Sequence, residues 1–289
     1  MNSLDGPKGW PKMLLTDFDG TIKPNRGEVS AADLRAFKRL KKRGVLRVIA
    51  TGRSLYSFER DYPKGLDLDY LIFSSGLGAC SWTSQGPGPL LFSRQFTELE
   101  ISSALKASLT LKRGFFVFEP PPNCHRYLYK DPDGYPFTQG YLSRNKLYSQ
   151  VCTPFSPGIK LGPRGQFLIT APWDEMPQVR AEFEKLCPSL SLTYSSSPYG
   201  DRSLWLEIFP PEVSKGCGAA CLAKLLNLNS FDCLSLGNDF NDLDLLKWTK
   251  RSLVTLDATE PLPSEFQTVP PSDDSPLSWL VDKLEKFEL

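Results

Sequence analysis

Asp17-Phe18-Asp19-Gly20-Thr21 sets two carboxylates at positions i and i+2, directly after the short apolar run Met13-Leu14-Leu15-Thr16. In extended chain this spacing turns both acids toward one side while Phe18 packs away from it. Close carboxylates repel, so they persist as a charged pair only beside a cation, or else one of them keeps a proton. Either state is useful chemically: one acid can be a nucleophile on a metal and the other a general acid and base. Three further segments offer matching groups. Thr51-Gly52-Arg53-Ser54 follows a second apolar run, residues 45–50, and opens a helical pattern. A hydroxyl and N–H groups at a helix start form an anion site, to which Arg53 can add a charge-assisted bond. Lys215, in Ser214-Lys215-Gly216, stands in the first turn of another helical pattern, where the helix dipole disfavours a cation unless an anion is near. Gly237-Asn238-Asp239-Phe240-Asn241-Asp242 gathers acids and amides whose hard oxygens suit Mg²⁺. Each segment alone also has an ordinary reading as an Asx turn, a helix start, a surface lysine or a set of capping residues.

Composition narrows the chemistry further. The 289 residues hold one histidine, His125, which excludes sites that need two imidazole ligands and leaves carboxylates, amines, hydroxyls and thiols to do the work. His125 itself is expected on the surface and outside the reaction. The seven cysteines include no CxxC pair and are expected as buried thiols in a reducing, cytoplasmic setting. With 34 basic and 33 acidic residues, no overall field recruits nucleic acid or an anionic membrane. The N-terminal MNSLDGPKGWPK lacks the apolar stretch of a signal peptide, and no run reaches the length of a membrane span. Neither nucleic acid nor a membrane is therefore an expected partner; oligomeric state is left open.

The elements that must position these groups can be read from the apolar pattern. Residues 13–16, 45–50 and 70–73 read as buried strands separated by helical segments, one of them capped by Ser30 and closed by Gly44. Such alternation argues for a parallel sheet, with ligands held at the carboxyl ends of its strands. From 76 to 200 proline becomes dense and short aromatic strands appear at 115–118, 126–129 and 167–170, with helical patterns at 98–112 and 175–186. This reads as an inserted α+β unit built on a largely antiparallel sheet. Helical texture returns at 214–226 and 243–248 around a strand at 233–236; residues 261–276 look irregular, and 276–287 closes the chain as a helix. The expected organisation is α/β: a Rossmann-like parallel core from 1–75 and 201–289, interrupted by an insertion over 76–200.

All four chemical segments thus follow or open elements of one core, in one order, with the insertion between the second and third. In this the chain resembles the haloacid-dehalogenase superfamily of phosphatases. Their four motifs fall here on Asp17 to Thr21, Thr51, Lys215 and Gly237 to Asp242. The insertion and the stretch Trp205-Leu206-Glu207-Ile208 before Ser214-Lys215-Gly216 resemble the Cof-type (IIB) subgroup, which includes sucrose-phosphate and mannosyl-phosphoglycerate phosphatases. The resemblance implies Asp17 as nucleophile and Asp19 as acid and base. It implies Thr51, Gly52, Arg53, Lys215 and Asn241 around the phosphate. Mg²⁺ would lie among Asp17, Asp19 and the fourth motif. One departure stands out: the family pattern has Asp after the glycine of that motif, and this chain has Asn238. Asn238 ligates through its amide oxygen, or the loop presents Asp239 or Asp242 instead; a carboxylate ligand is the expectation, because an amide carries no charge. The implied activity is Mg²⁺-dependent hydrolysis of a small phosphate ester, such as a sugar phosphate or a glycosyl-phosphoglycerate. The rivals are a phosphomannomutase-like phosphotransferase and a non-catalytic sugar-phosphate binder. The insertion is expected to select the substrate. Between 84 and 200 it carries 12 Lys/Arg against 9 Asp/Glu, and Arg126, Tyr127, Lys130, Lys160 and Arg164 are its candidate contacts.

Overall fold

A computed structural model describes residues 9–197 and 199–286. The N-terminal residues 1–8 and the expected helix end at Phe287 lie outside the described residues. The chain opens with β1 (Met13–Thr16), α1 (Ala31–Lys42), β2 (Leu46–Ala50), α2 (Leu55–Arg60), β3 (Tyr70–Phe73), β4 (Gly78–Thr83) and β5 (Gly86–Ser93). It continues through α3 (Glu98–Thr110), β6 (Phe115–Phe118), β7 (Tyr127–Lys130), α4 (Gln139–Leu147), β8 (Cys152–Pro154), β9 (Gln166–Pro172), α5 (Met176–Leu186), β10 (Ser191–Ser196) and β11 (Ser203–Phe209). It returns with α6 (Lys215–Leu225), β12 (Cys233–Gly237), α7 (Leu243–Trp248), β13 (Arg251–Thr255), α8 (Leu262–Glu265), β14 (Gln267–Val269) and α9 (Pro276–Glu285).

Two compact units result. The first is an eight-stranded sheet in the order β14-β13-β12-β1-β2-β3-β4-β5. Every residue of β1 and of β12 is buried, as parallel strands covered on both faces require. β1 pairs in parallel with β12 on one side and β2 on the other, Thr16 standing opposite both Leu236 and Ile49. The strand order reverses direction at β1. A crevice opens at the carboxyl ends of strands at such a reversal, and the segments after β1, β2 and β12 all emerge there. α1 begins as expected, with Ser30 Oγ accepting the Asp33 N–H at 3.0 Å, and it packs against α9.

The second unit holds a six-stranded sheet, β10-β11-β9-β6-β7-β8, antiparallel in its resolved pairings except between β7 and β8. α3 and α5 cover one face, packing Ile101, Ala104, Val179 and Phe183 against Phe115, Val117, Phe167 and Ile169. α3 starts in a capping box formed by Thr97 and Glu100. On the other face Phe116, Phe118, Tyr127, Tyr141 and Trp205 form a second, aromatic cluster. The α/β core with an inserted α+β unit is the architecture expected from the strand and helix texture.

The division between the units falls elsewhere than at 76 and 200. After β3 the chain passes through a 3-10 turn with positive φ at Ser74, Ser75 and Gly76 and folds straight back, so that β4 pairs antiparallel with β3. β4 and β5 therefore extend the core sheet, and the first unit runs to Phe92, apart from Ser54–Ser57, which group with the second. Pro87 and Pro89 suggested irregular chain, but both lie on the edge strand β5, the place in a sheet where proline is tolerated. At the far end β11 pairs with β9 and β10, so the core resumes only at Lys215. The stretch 261–276 is less irregular than expected, since it contains α8 and the three-residue edge strand β14.

Candidate active site

Asp17 follows β1 immediately, its N–H donating to the Leu236 carbonyl at 2.9 Å, so the backbone ladder itself sets where its side chain leaves the sheet. That side chain is 6% exposed. Its Oδ1 accepts from Lys215 Nζ at 2.7 Å, and the same ammonium donates to Asp242 Oδ1 at 2.7 Å. Lys215 is thus fully buried between two carboxylates, which resolves why a lysine stands in the first turn of α6. Thr21 Oγ1 lies 3.1 Å from Asp17 Oδ2 and 3.0 Å from Asn238 Oδ1, one hydroxyl shared between the two acceptors. Asp242 Oδ2 accepts the N–H groups of Asn238 and Asp239 at 2.9 and 3.1 Å, which closes the loop after β12 around its own carboxylate. Two glycines make this approach possible. A Cβ on Gly20, whose φ is +75°, would stand 2.2 Å from Asn238 Nδ2, and one on Gly237 would stand 2.7 Å from Asp242 Cβ.

The electrostatics follow from burial. Loss of water pushes the Asp17 carboxyl up to about 7; Lys215 pulls it down, while the neighbouring Asp242 and Asp19 push it further up. For Lys215 burial works against the ammonium, but Asp17 and Asp242 outweigh it and raise its pKa. Two carboxyl groups crowd one ammonium in a closed space, an arrangement that a bound cation would stabilise.

Asp19 leaves this cluster and meets Arg53. Arg53 Nε and Nη2 donate to the two Asp19 oxygens at 2.6 and 2.7 Å, a fork-to-fork pair, and Arg53 Nη1 donates to Asp61 at 2.7 Å. The guanidinium also lies 5.3 Å from the centre of the Phe18 ring, so the residue between the two acids carries the group that holds the second one. Arg53, expected on phosphate, here directs one N–H from each of its three nitrogens to a carboxylate. Asp61 gave no signal in the sequence, because it and Arg53 flank α2 and come together only when that helix forms. Paired with Arg60 and Arg53, the Asp61 carboxyl is pulled down to about 2.

Thr51 is buried after β2, its Oγ1 accepting the Arg53 N–H at 3.1 Å, and Gly52 beside it is exposed. Asn241 is half-buried in the 3-10 turn before α7 and, among the described residues, makes none of the hydrogen bonds that join the cluster. In the fourth motif the acids expected as metal ligands have protein partners. Both Asp242 oxygens are committed, and Asp239 Oδ1 accepts from Thr259 Oγ1 at 2.9 Å. Asn238 is the member of that loop whose side chain reaches Thr21 beside Asp17. Among the described residues no three His, Cys, Asp or Glu side chains form a metal cluster. The donor set near Asp17 nevertheless fits a hard cation: a carboxylate oxygen and an amide oxygen a single hydroxyl apart, where two carboxyl groups crowd one ammonium.

Residues 14–274 match the family model of haloacid dehalogenase-like hydrolases. The chain belongs to this family. Among curated relatives it is 23% identical over 290 residues to the 5-amino-6-(5-phospho-D-ribitylamino)uracil phosphatase YwtE of Bacillus subtilis, covering 94% of this chain and 98% of that one. It is also 23% identical over 258 residues to the HMP-PP phosphatase of Cronobacter sakazakii, covering 88% and 87%. Among solved structures the fold matches BT1666 from Bacteroides thetaiotaomicron at a TM-score of 0.76 and 16% identity, over 98% and 99% of the two chains. It matches the HAD subclass IIB sugar phosphatase BT4131 at 0.72 and 14%, over 96% and 98%. In this family of hydrolases, then, the protein has relatives named as phosphatases of small phosphorylated compounds.

Proposed function

We infer that the protein is a phosphatase of small phosphorylated metabolites and that it acts through Asp17, with sugar phosphates as the first class to test. The observation that carries this reading is the buried Asp17 carboxylate, held by Lys215 and Thr21, with Asp19 two residues on in the grip of Arg53. In the first step an Asp17 oxygen attacks phosphorus, the ester P–O bond breaks, and an aspartyl-phosphate forms. Asp19 gives its proton to the departing alcohol oxygen, then takes one from the water that hydrolyses the acyl phosphate. Both Asp19 oxygens accept from Arg53, so a proton passes there only when one of those two bonds opens. Lys215 holds Asp17 in line, and together with the Thr51 hydroxyl it offers charge and a donor to the phosphoryl oxygens.

Mg²⁺ is the proposed cofactor. Asp17 Oδ2, Asn238 Oδ1 and the backbone carbonyl of Asp19 would hold it, with Asp242 acting on the site through Lys215. When bound it supplies positive charge to the phosphoryl oxygens. The inserted unit is proposed to select the substrate.

The test is inorganic phosphate release from a panel of phosphorylated sugars and glycerates, with and without Mg²⁺. We expect Mg²⁺-dependent release and a loss of at least about 1000-fold in kcat for Asp17→Asn, with that variant's melting temperature within a few degrees of wild type. Comparable turnover by Asp17→Asn would remove Asp17 as nucleophile. Transfer of phosphate only to an added acceptor sugar would make the protein a phosphotransferase, and no turnover on any ester would make it a binder.

A further inference from the structure

The inserted unit contains a cavity of about 300 Å³ walled by Glu119, Arg126, Tyr127, Gln150, Thr153 and Arg164, among others. Its position follows from the sheet. Glu119 directly follows β6, with its N–H donating to the carbonyl of Arg126 just before β7. Arg164 precedes β9, tied on either side by the Phe96 N–H bond to its own carbonyl and the Gly165 N–H bond to Phe118. Three strand ends thus converge and carry two guanidiniums and one carboxylate to one hollow. Of the five candidate contacts read from the sequence, Arg126, Tyr127 and Arg164 meet here, whereas Lys130 lines a separate, smaller cavity of about 80 Å³.

Among the described residues, neither arginine has the kind of direct carboxylate partner that five others in the chain have. Arg39, Arg47, Arg53, Arg60 and Arg113 each meet a carboxylate directly. Arg126 and Arg164 form no salt bridge among the described residues, although Glu119 shares their cavity. The Arg164 Nε is buried with no hydrogen-bond partner, and its Nη1 reaches only the neighbouring Pro163 carbonyl at 3.3 Å. Arg126 is exposed and Arg164 half-buried. Glu119 is near enough to favour the Arg164 charge but is not bonded to it, so the buried Arg164 Nε would gain from a ligand that completes it. Burial accordingly works against the Arg164 charge, and burial together with nearby Arg126 lowers the pKa of the adjacent His125.

We propose that this cavity binds a carboxylate or phosphate group of a small hydroxylated molecule, with Arg126 and Arg164 taking the oxyanion and Glu119, Gln150 and Thr153 taking hydroxyls. Planar guanidiniums match the two oxygens of such groups, and a carboxylate wall rejects a ligand that is anionic throughout while accepting hydroxyl donors. The cavity volume suits a fragment of a few carbons.

The experiment titrates D-glycerate, which has a carboxylate and hydroxyls but no phosphate, into the full-length ¹⁵N-labelled protein. The arginine Nε–H signals are followed by NMR and assigned from the variants. We expect the Arg164 and Arg126 signals to shift while that of Arg53 stays. Arg164→Gln and the double variant Arg126→Gln/Arg164→Gln should weaken binding by about 10- to 100-fold, and Arg164→Lys by less. Unchanged circular dichroism and melting temperature qualify each variant. A titration without shifts at these two arginines, or with the same affinity in the double variant, would overturn the proposal. A second arm, which rests on the phosphatase reading, compares kcat/KM for 3-phosphoglycerate and glycerol 3-phosphate. A preference for the former that collapses in the double variant identifies the ligand as part of the substrate. Glycerate binding with an unaltered preference identifies a separate small anion on the same pocket.

Discussion

Asp17 and Asp19 are neighbours in sequence with unlike surroundings, and that difference defines their roles. Asp17 is closed in with Lys215 and Asp242, where loss of water is the largest influence on it, while Asp19 stays accessible in a charged fork with Arg53. A nucleophile needs fixed aim, and an acid and base needs access to a leaving group and to water. Arg53 connects the two needs: it holds Asp19 through two bonds and is itself anchored by Asp61. Replacing it by lysine keeps the charge and loses the fork. Arg53→Lys should lower kcat by about 10- to 100-fold with a much smaller change in KM, measured on whichever ester the wild type turns over. A rise in KM at constant kcat would return Arg53 to the phosphate-binding role its place after Thr51 suggested.

Among the elements, α1 and α9 meet through a buried acid. Asp33, in the first turn of α1, is 0% exposed; its Oδ1 accepts the Ser278 N–H from the start of α9 at 2.8 Å, and its Oδ2 has no partner. Burial pushes this carboxyl from 3.8 up to about 6, against the pull of the Ser278, Ser30 and Leu277 hydrogen bonds. The folded state therefore holds the proton more tightly than the unfolded chain. The resulting stabilisation is complete below about pH 4 and is lost as pH rises through about 6. Asp33→Asn keeps the Oδ1 acceptor and removes the charge. It should be more stable than wild type at pH 8, by of the order of 2 kcal/mol, with the gap closing as pH falls to 4. Denaturant midpoints of both proteins at the two pH values check this; a gap independent of pH, or a less stable variant at pH 8, would contradict it.

Across the whole molecule, anion binding draws on local groups, since 34 basic and 33 acidic residues nearly cancel. The seven cysteines form no disulfide and differ sharply in access. Cys217 is exposed and Cys152 and Cys221 partly so, whereas Cys80, Cys124, Cys187 and Cys233 are buried, and burial pushes the Cys80 and Cys233 thiols up to about 12. A thiol reagent such as DTNB should modify no more than three residues quickly in the native protein and all seven after unfolding, and dithiothreitol should leave the melting temperature unchanged. Rapid reaction of all seven without denaturant would mean that the two sheets do not bury these side chains. No helix among the described residues is long and apolar enough to cross a membrane.

The amino-acid sequence by itself determined the kinds of groups available and their order along the chain. The acids after the first strand, the hydroxyl after the second, the lysine opening a helix and the acid-amide loop were all legible, because strand and helix periodicity is a local property. The parallel texture of the core was legible for the same reason. Short edge strands were not: β5 carries prolines and β14 has three residues, so their only mark is the pairing itself. Tertiary structure alone decided the partners. It brought Lys215 to Asp17 across 198 positions and set Arg53 against Asp19. It also enclosed Asp242 so fully that Asn238 is left beside Thr21. Local spacing says which side chains share a face, but the register of β1 between β12 and β2 determines which faces meet.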